Sequence, residues 1–167
     1  MKSARLTILL LLLAMTATAR VIAYPLDGYA ETGIRRVEGA RLASEGVIAG
    51  SKQPLVFFAL QWCEFCWSAR KLLDALEVPY RTVALDGPDY ADLEWAADVR
   101  RAVGERSGAP TIPQIFLAGK HLGGATDLFD AHNDGRLVGL LADANLAVKQ
   151  SGPENAYSLL PAWLQPR

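Results

Sequence analysis

Cysteine is scarce in this chain: two occur in 167 residues, Cys63 and Cys66, separated only by Glu64 and Phe65. A domain that used disulfides as staples would spread more of them along its length, because a bridge gains most by closing a long loop. A bridge between these two closes almost none, so its chemistry is the better reason for its presence. A structural zinc site is excluded by ligand count, since it needs four ligands, no second cysteine pair exists, and His121 and His132 lie far down the chain. Charge of one sign is also lacking. Lys and Arg number 17 against 18 Asp and Glu, a net charge of -1, and the two signs are interspersed, which argues against a nucleic-acid partner. No internal repeat appears.

What is present begins with an apolar N-terminus. Lys2 and Arg5 precede the continuous apolar stretch 6–14, and Ala17-Thr18-Ala19 has the small-x-small form of a cleavage site. The stretch falls short of the roughly 20 residues that span a bilayer core. We therefore expect residues 1–23 to be a secretory signal, with an uncleaved short membrane anchor as the competing reading, and the protein to sit outside the cytoplasm, in a periplasmic or other exported location. Residues 24–51 are glycine-punctuated, with Ile34, Val37, Leu42 and Val47 at loosely helical spacing. They are expected to form a linker with one short amphipathic helix. At 51 % apolar residues, the remainder suffices for one packed domain, expected over 52–148, followed by a tail over 149–167.

Within that domain the run 55–60, LVFFAL, is apolar without alternation, as expected of a strand buried on both faces. Ala69, Leu72, Leu73 and Leu76 then recur at helical spacing over 68–76 until Pro79, and residues 80–85 read as a second strand. Strand, helix and strand with short links form a parallel crossover. A helix is predicted over 90–103, broken by Ser107-Gly108-Ala109-Pro110. Short strands at 114–117 and 120–122 flank the hairpin turn Ala118-Gly119. Thr126 or Asp127 is expected to cap a helix reaching about Asn133, and a last helix to run over 137–148. The predicted class is α/β: a small mixed sheet with helices on both faces. Tyr157, Leu159, Leu160, Trp163 and Leu164 predict that the tail folds back onto it.

Two cysteines after a buried strand and before a helix meet the unpaired N–H groups and partial positive charge of the helix N-terminus. A Cys63 thiolate is stabilised there, and the thiolate is the species that attacks a disulfide. Cys66, one turn on, is placed to resolve the mixed disulfide. Thr111-Ile112-Pro113 precedes the third strand; if the Ile112–Pro113 bond is cis, the backbone before it can pair with an extended substrate beside the cysteines. Gly123-Gly124-Ala125-Thr126-Asp127 lead into a helix whose amides can receive a carboxylate. Trp62 and Trp67 bracket the pair. Trp62 is expected beside substrate and Trp67 in the core.

Together, Cys63-Glu64-Phe65-Cys66 after a buried strand, the stretch 111–124 (TIPQIFLAGKHLGG) and Leu137-Val138-Gly139-Leu140-Leu141 resemble the glutaredoxin family over about residues 52–148. The resemblance implies a thioredoxin-like fold with a four-stranded sheet, a thiol-disulfide oxidoreductase activity, and glutathione as co-substrate without a metal. It makes Cys63 the nucleophile and Cys66 the resolving thiol. Trp62, Phe65, Thr111, Ile112, Pro113, Gly123, Gly124, Thr126 and Asp127 are then the substrate- and glutathione-binding residues. Partners would be a disulfide-containing protein or a glutathione mixed disulfide, and an electron donor. The competing function is a binding module: a glutathione or iron-sulfur holder, or a domain docked to one partner. Four positions depart from the family pattern. Glu64-Phe65 replaces Pro-Tyr, and Leu60 and Pro110 stand where the family commonly has basic residues, which weakens the expected hold on glutathione carboxylates.

Overall fold

The apolar run that begins at Leu55 offers no polar face to water, and the chain gives it an interior place. In a computed structural model that describes residues 33–165, it becomes β1 (Leu55–Ala59) of a four-stranded sheet in the order β2-β1-β3-β4. Strand β2 (Arg81–Ala84) runs parallel to β1, with Val56 opposite Arg81; β3 (Gln114–Leu117) is antiparallel on the other side, with Leu55 opposite Leu117. The edge is β4 (Lys120–Gly123), antiparallel to β3. Positive φ at both Ala118 (47°) and Gly119 (79°) makes the expected tight two-residue turn.

Successive residues of β1 point to opposite faces, so each face has its own core. Leu55, Phe57 and Ala59 pack with α2 (Glu64–Ala75), α4 (Ala125–Asn133) and α5 (Arg136–Asp143) through Leu72, Leu73, Phe129 and Leu141. Val56, Phe58 and Leu60 pack with α1 (Gly33–Gly50) and α3 (Leu93–Ser107) through Ile48, Val99 and Val103. Burial of each large side chain such as Phe57 or Phe58 contributes roughly 1.5–3 kcal/mol. Residues Arg36–Arg167 form one compact unit. The expected signal over 1–23 lies outside the described residues, and among those described no helix is long and apolar enough to cross a membrane.

Several boundaries differ from expectation for local physical reasons. The described part of the 24–51 segment is an 18-residue helix, α1. Its buried stripe is Gly39, Ala40, Ser44 and Ile48, while Val37 and Leu42 face solvent. Through Ala40 and Ile48 this stripe joins the core cluster of Val56, Phe58 and Val99. Helix α2 starts at Glu64, four residues before the predicted Ser68, so that Cys63 is its N-cap and Cys66 lies in its first turn. Helix α3 is set by Asp92, whose Oδ1 accepts the N–H of Glu94 at 3.0 Å and of Trp95 at 3.1 Å; the predicted start at Tyr90 is a separate 3-10 turn. Helix α5 stops at Asp143 and not at 148. Asn145 adopts φ 58°, and the N–H groups of Asn145 and Leu146 return to the carbonyls of Ala142 and Leu141 at 2.9 and 2.8 Å, a Schellman closure with asparagine in place of glycine.

The tail folds back as predicted. Ala156 and Leu160 are buried in the same core as α2, Tyr157 packs edge-on against Phe129, and the Ser68 hydroxyl donates to the Leu159 carbonyl at 3.0 Å. Polar stitches join it to the end of α4: Ala156 N–H donates to Asn133 Oδ1 at 2.8 Å, and His132 Nε2 donates to the Pro153 carbonyl at 2.8 Å.

Candidate active site

The end of β1 and the start of α2 place the two sulfurs. Cys63, in extended conformation (φ -81°, ψ 118°) at the N-cap, is half-buried, and its thiol donates to the Ile112 carbonyl across 3.7 Å. Cys66 points inward and is fully buried. Burial pushes the Cys66 thiol up to about 12, with Cys63 beside it adding to the rise and the Leu60 amide partly opposing it. One sulfur is reachable from solvent and the other is kept protonated inside.

Beside Cys63 the loop before β3 and the start of α4 enclose a groove of about 290 Å³. Of the residues predicted for substrate, Phe65, Thr111, Ile112, Pro113, Gly124, Thr126 and Asp127 line it. The Ile112–Pro113 peptide bond is cis. Asp127 is not the N-cap: it sits at the third position of α4, and its Oδ2 accepts the N–H of Gly124 at 2.7 Å. Gly123, the residue before Gly124, is buried and is not among the groove-lining residues. Its φ of 130°, and the 2.3 Å at which an added Cβ would meet the Asp127 side chain, restrict the position to glycine.

Trp67 corrects the expectation of a core residue: it is 44 % exposed, its indole N–H donating to the Gln61 carbonyl. An indole that keeps its N–H satisfied by local backbone has no need of the core. Trp62, next to Cys63 in the chain, is 69 % exposed and lies outside the groove-lining residues.

The groove also contains residues that the sequence reading passed over. Gln114 is buried, its amide donates to the Thr111 carbonyl at 2.8 Å and hydroxyl at 3.1 Å, and its Oε1 accepts from His121 Nε2 at 2.6 Å. Burial holds the His121 imidazole below its usual range, with Arg106 adding to this and Asp127 opposing it. The imidazole is therefore neutral near pH 7 and fixes the Gln114 amide, which in turn fixes the loop before Pro113. A glutamine in an otherwise apolar strand, directly after a threonine-isoleucine-proline loop, was the available signal. Among the described residues no cluster of three or more His, Cys, Asp or Glu is placed to hold a metal ion.

A dithiol with one open and one sealed sulfur suits stepwise disulfide exchange, and the sheet order with its flanking helices is a thioredoxin-like fold. The Glutaredoxin family model matches residues 55–122. A glutaredoxin of Ricinus communis is 35 % identical over 94 residues, covering 56 % of this chain and 87 % of its own length, and Glutaredoxin-C6 of Oryza sativa subsp. japonica is 33 % identical over 91 residues, covering 54 % and 77 %. The solved buckwheat glutaredoxin-glutathione complex superposes with a TM-score of 0.61 at 28 % identity, over 70 % of this chain and 98 % of that one. This chain belongs to the glutaredoxin family and is a thiol-disulfide oxidoreductase.

Proposed function

We propose that the protein reduces or exchanges protein and glutathione mixed disulfides through Cys63 and Cys66, outside the cytoplasm. The carrying observation is the contrast in burial of the two sulfurs at one helix start. The Cys63 thiolate attacks one sulfur of a substrate disulfide; a Cys63–substrate disulfide forms and the other half leaves as a thiolate that takes up a proton. Cys66 then gives up its proton and attacks the Cys63 sulfur. The substrate thiol departs, a Cys63–Cys66 disulfide remains, and two electrons have passed to the substrate. Two equivalents of an external thiol such as glutathione restore the pair: the first forms a mixed disulfide with one cysteine and frees the other, and the second attacks the external sulfur and leaves with it as the external disulfide.

The groove offers the Ile112 backbone to an extended substrate and the N-terminal amides of α4 to a carboxylate, with Thr126 and Asp127 beside them. Buckwheat glutaredoxin, similar in fold, was solved with glutathione. The groove-lining residues include no lysine or arginine, and Leu60 is buried, so the glutathione carboxylates would be held by backbone donors without a cationic partner. The location rests on the N-terminal pattern of Lys2, Arg5, the apolar stretch 6–14 and Ala17-Thr18-Ala19. Reduction of a glutathione mixed disulfide by the purified protein tests the activity: retention of full activity after Cys63→Ser would overturn it. A reduction potential near the roughly -120 mV of strong oxidants would overturn the reducing direction. Fractionation of cells carrying the full chain tests the address.

A further inference from the structure

Gln61, two residues before Cys63, is held at both ends of its backbone. Its N–H donates to the two carboxylate oxygens of Asp86 at 2.9 and 2.8 Å, and its C=O accepts the indole N–H of Trp67. The Asp86 side is built into the sheet. Leu85 N–H donates to the Ala59 carbonyl at 2.9 Å, carrying the β1–β2 ladder to the residue before Asp86. A Cβ on Gly87 would come within 3.6 Å of the Gln61 side-chain amide, so this turn lies against Gln61. The Trp67 side is built into α2, one residue beyond Cys66. Trp67 is 44 % exposed and its N–H could be satisfied by water, yet it is directed at this one carbonyl. Only Trp62 separates Gln61 from Cys63, and at 69 % exposure Trp62 has little packing of its own to fix the chain.

We propose that Asp86 and Trp67 clamp the Gln61 backbone from β2 and from α2 and thereby hold the loop that presents Cys63, acting as positioning residues for disulfide exchange. Attack on a disulfide needs the three sulfurs nearly in line, so a displaced loop lowers the rate even when the fold is intact. A charge-assisted bond on one side and an indole donor on the other constrain the same residue, so releasing either side frees it. The clamp rests on the reading of Cys63 as nucleophile, but it is observable without turnover.

The test uses Trp67→Phe, Asp86→Ala, Asp86→Asn and the Trp67→Phe/Asp86→Ala double variant in the full chain. Steady-state reduction of a glutathione mixed disulfide is read together with hydrogen exchange of the Trp67 indole N–H by NMR. Trp67→Phe and Asp86→Ala are expected to lower kcat/KM on the order of tenfold each. Asp86→Asn, which loses the charge but keeps an acceptor, should recover most of the Asp86→Ala loss. The double variant should fall little below the worse single one, because both release the same residue. Indole exchange should quicken in Asp86→Ala although Trp67 itself is unchanged. A folded Trp67→Phe with wild-type kcat/KM would overturn the clamp, as would losses that multiply in the double variant. If Asp86→Ala does not fold, Trp67→Phe and Asp86→Asn decide alone: a loss in the first with near-recovery in the second supports the clamp. Slow indole exchange with full activity after Cys63→Ser would instead mean that the nucleophile reading had failed and the clamp had not.

Discussion

Cys63 and Cys66 occupy one turn of the same helix in opposite surroundings: the first is half-buried at the N-cap against the Ile112 carbonyl, the second fully buried among the side chains of α2, α4 and the sheet. The lesson is that three residues of helix suffice to divide the labour of a dithiol, because the N-terminal position faces the groove and the next turn faces the core. Exposure decides which sulfur meets a substrate, and burial decides which one waits.

The largest expected effect breaks the comparison at its open end. Cys63→Ser should lower kcat/KM for disulfide reduction by at least about a hundredfold, measured with a glutathione mixed disulfide. Cys66→Ser should leave the first step intact and remove the second, so that a mixed disulfide with a protein substrate accumulates and is visible by non-reducing electrophoresis; rapid turnover of that adduct would contradict the resolving role. A third measurement compares the thiols directly. Iodoacetamide near neutral pH should label one cysteine in the folded reduced protein and two after denaturation, with mass spectrometry placing the first label on Cys63.

A smaller effect concerns pH. The Cys66 thiol, ordinarily near 9.0, is held at about 12 by burial, so above pH 9 the folded chain retains a proton that the unfolded chain releases. Its contribution to stability is full below about pH 9 and is lost as pH rises toward 12. The urea midpoint should therefore decline through that window, and Cys66→Ser should flatten the decline. The smallest change sharpens the comparison from behind: Ser68→Ala removes the bond from α2 to the Leu159 carbonyl. It should cost about 1 kcal/mol in urea denaturation and leave the labelling pattern of both cysteines unaltered.

The parts legible in the sequence were those with local causes. An apolar hexad, a helical stripe ended by proline and an alanine-glycine turn predicted the central strand, its crossover helix and the hairpin, and the cysteine pair could be placed between the first two. Parts that depend on distant partners were not legible. Trp67 looks like a core residue until Gln61 is known to lie over it. The apparent stripe of Val37 and Leu42 gives way to Ala40, Ser44 and Ile48, because which face of a weakly amphipathic helix is buried depends on the elements it meets. Gln114, His121 and Asp86 act through bonds to Thr111, to each other and to Gln61, and no periodicity announces a bond that spans elements.

The tail has a practical meaning for anyone who cuts this gene. The family match ends at residue 122, one step short of the double glycine, and even a fragment trimmed after residue 148 would discard the segment whose Ala156 and Leu160 seal the back of α2 and α4. Such fragments would present a raw apolar surface to the solvent and to one another. The shortest piece that deserves to be expressed ends beyond Leu160, well outside the borders that sequence similarity draws.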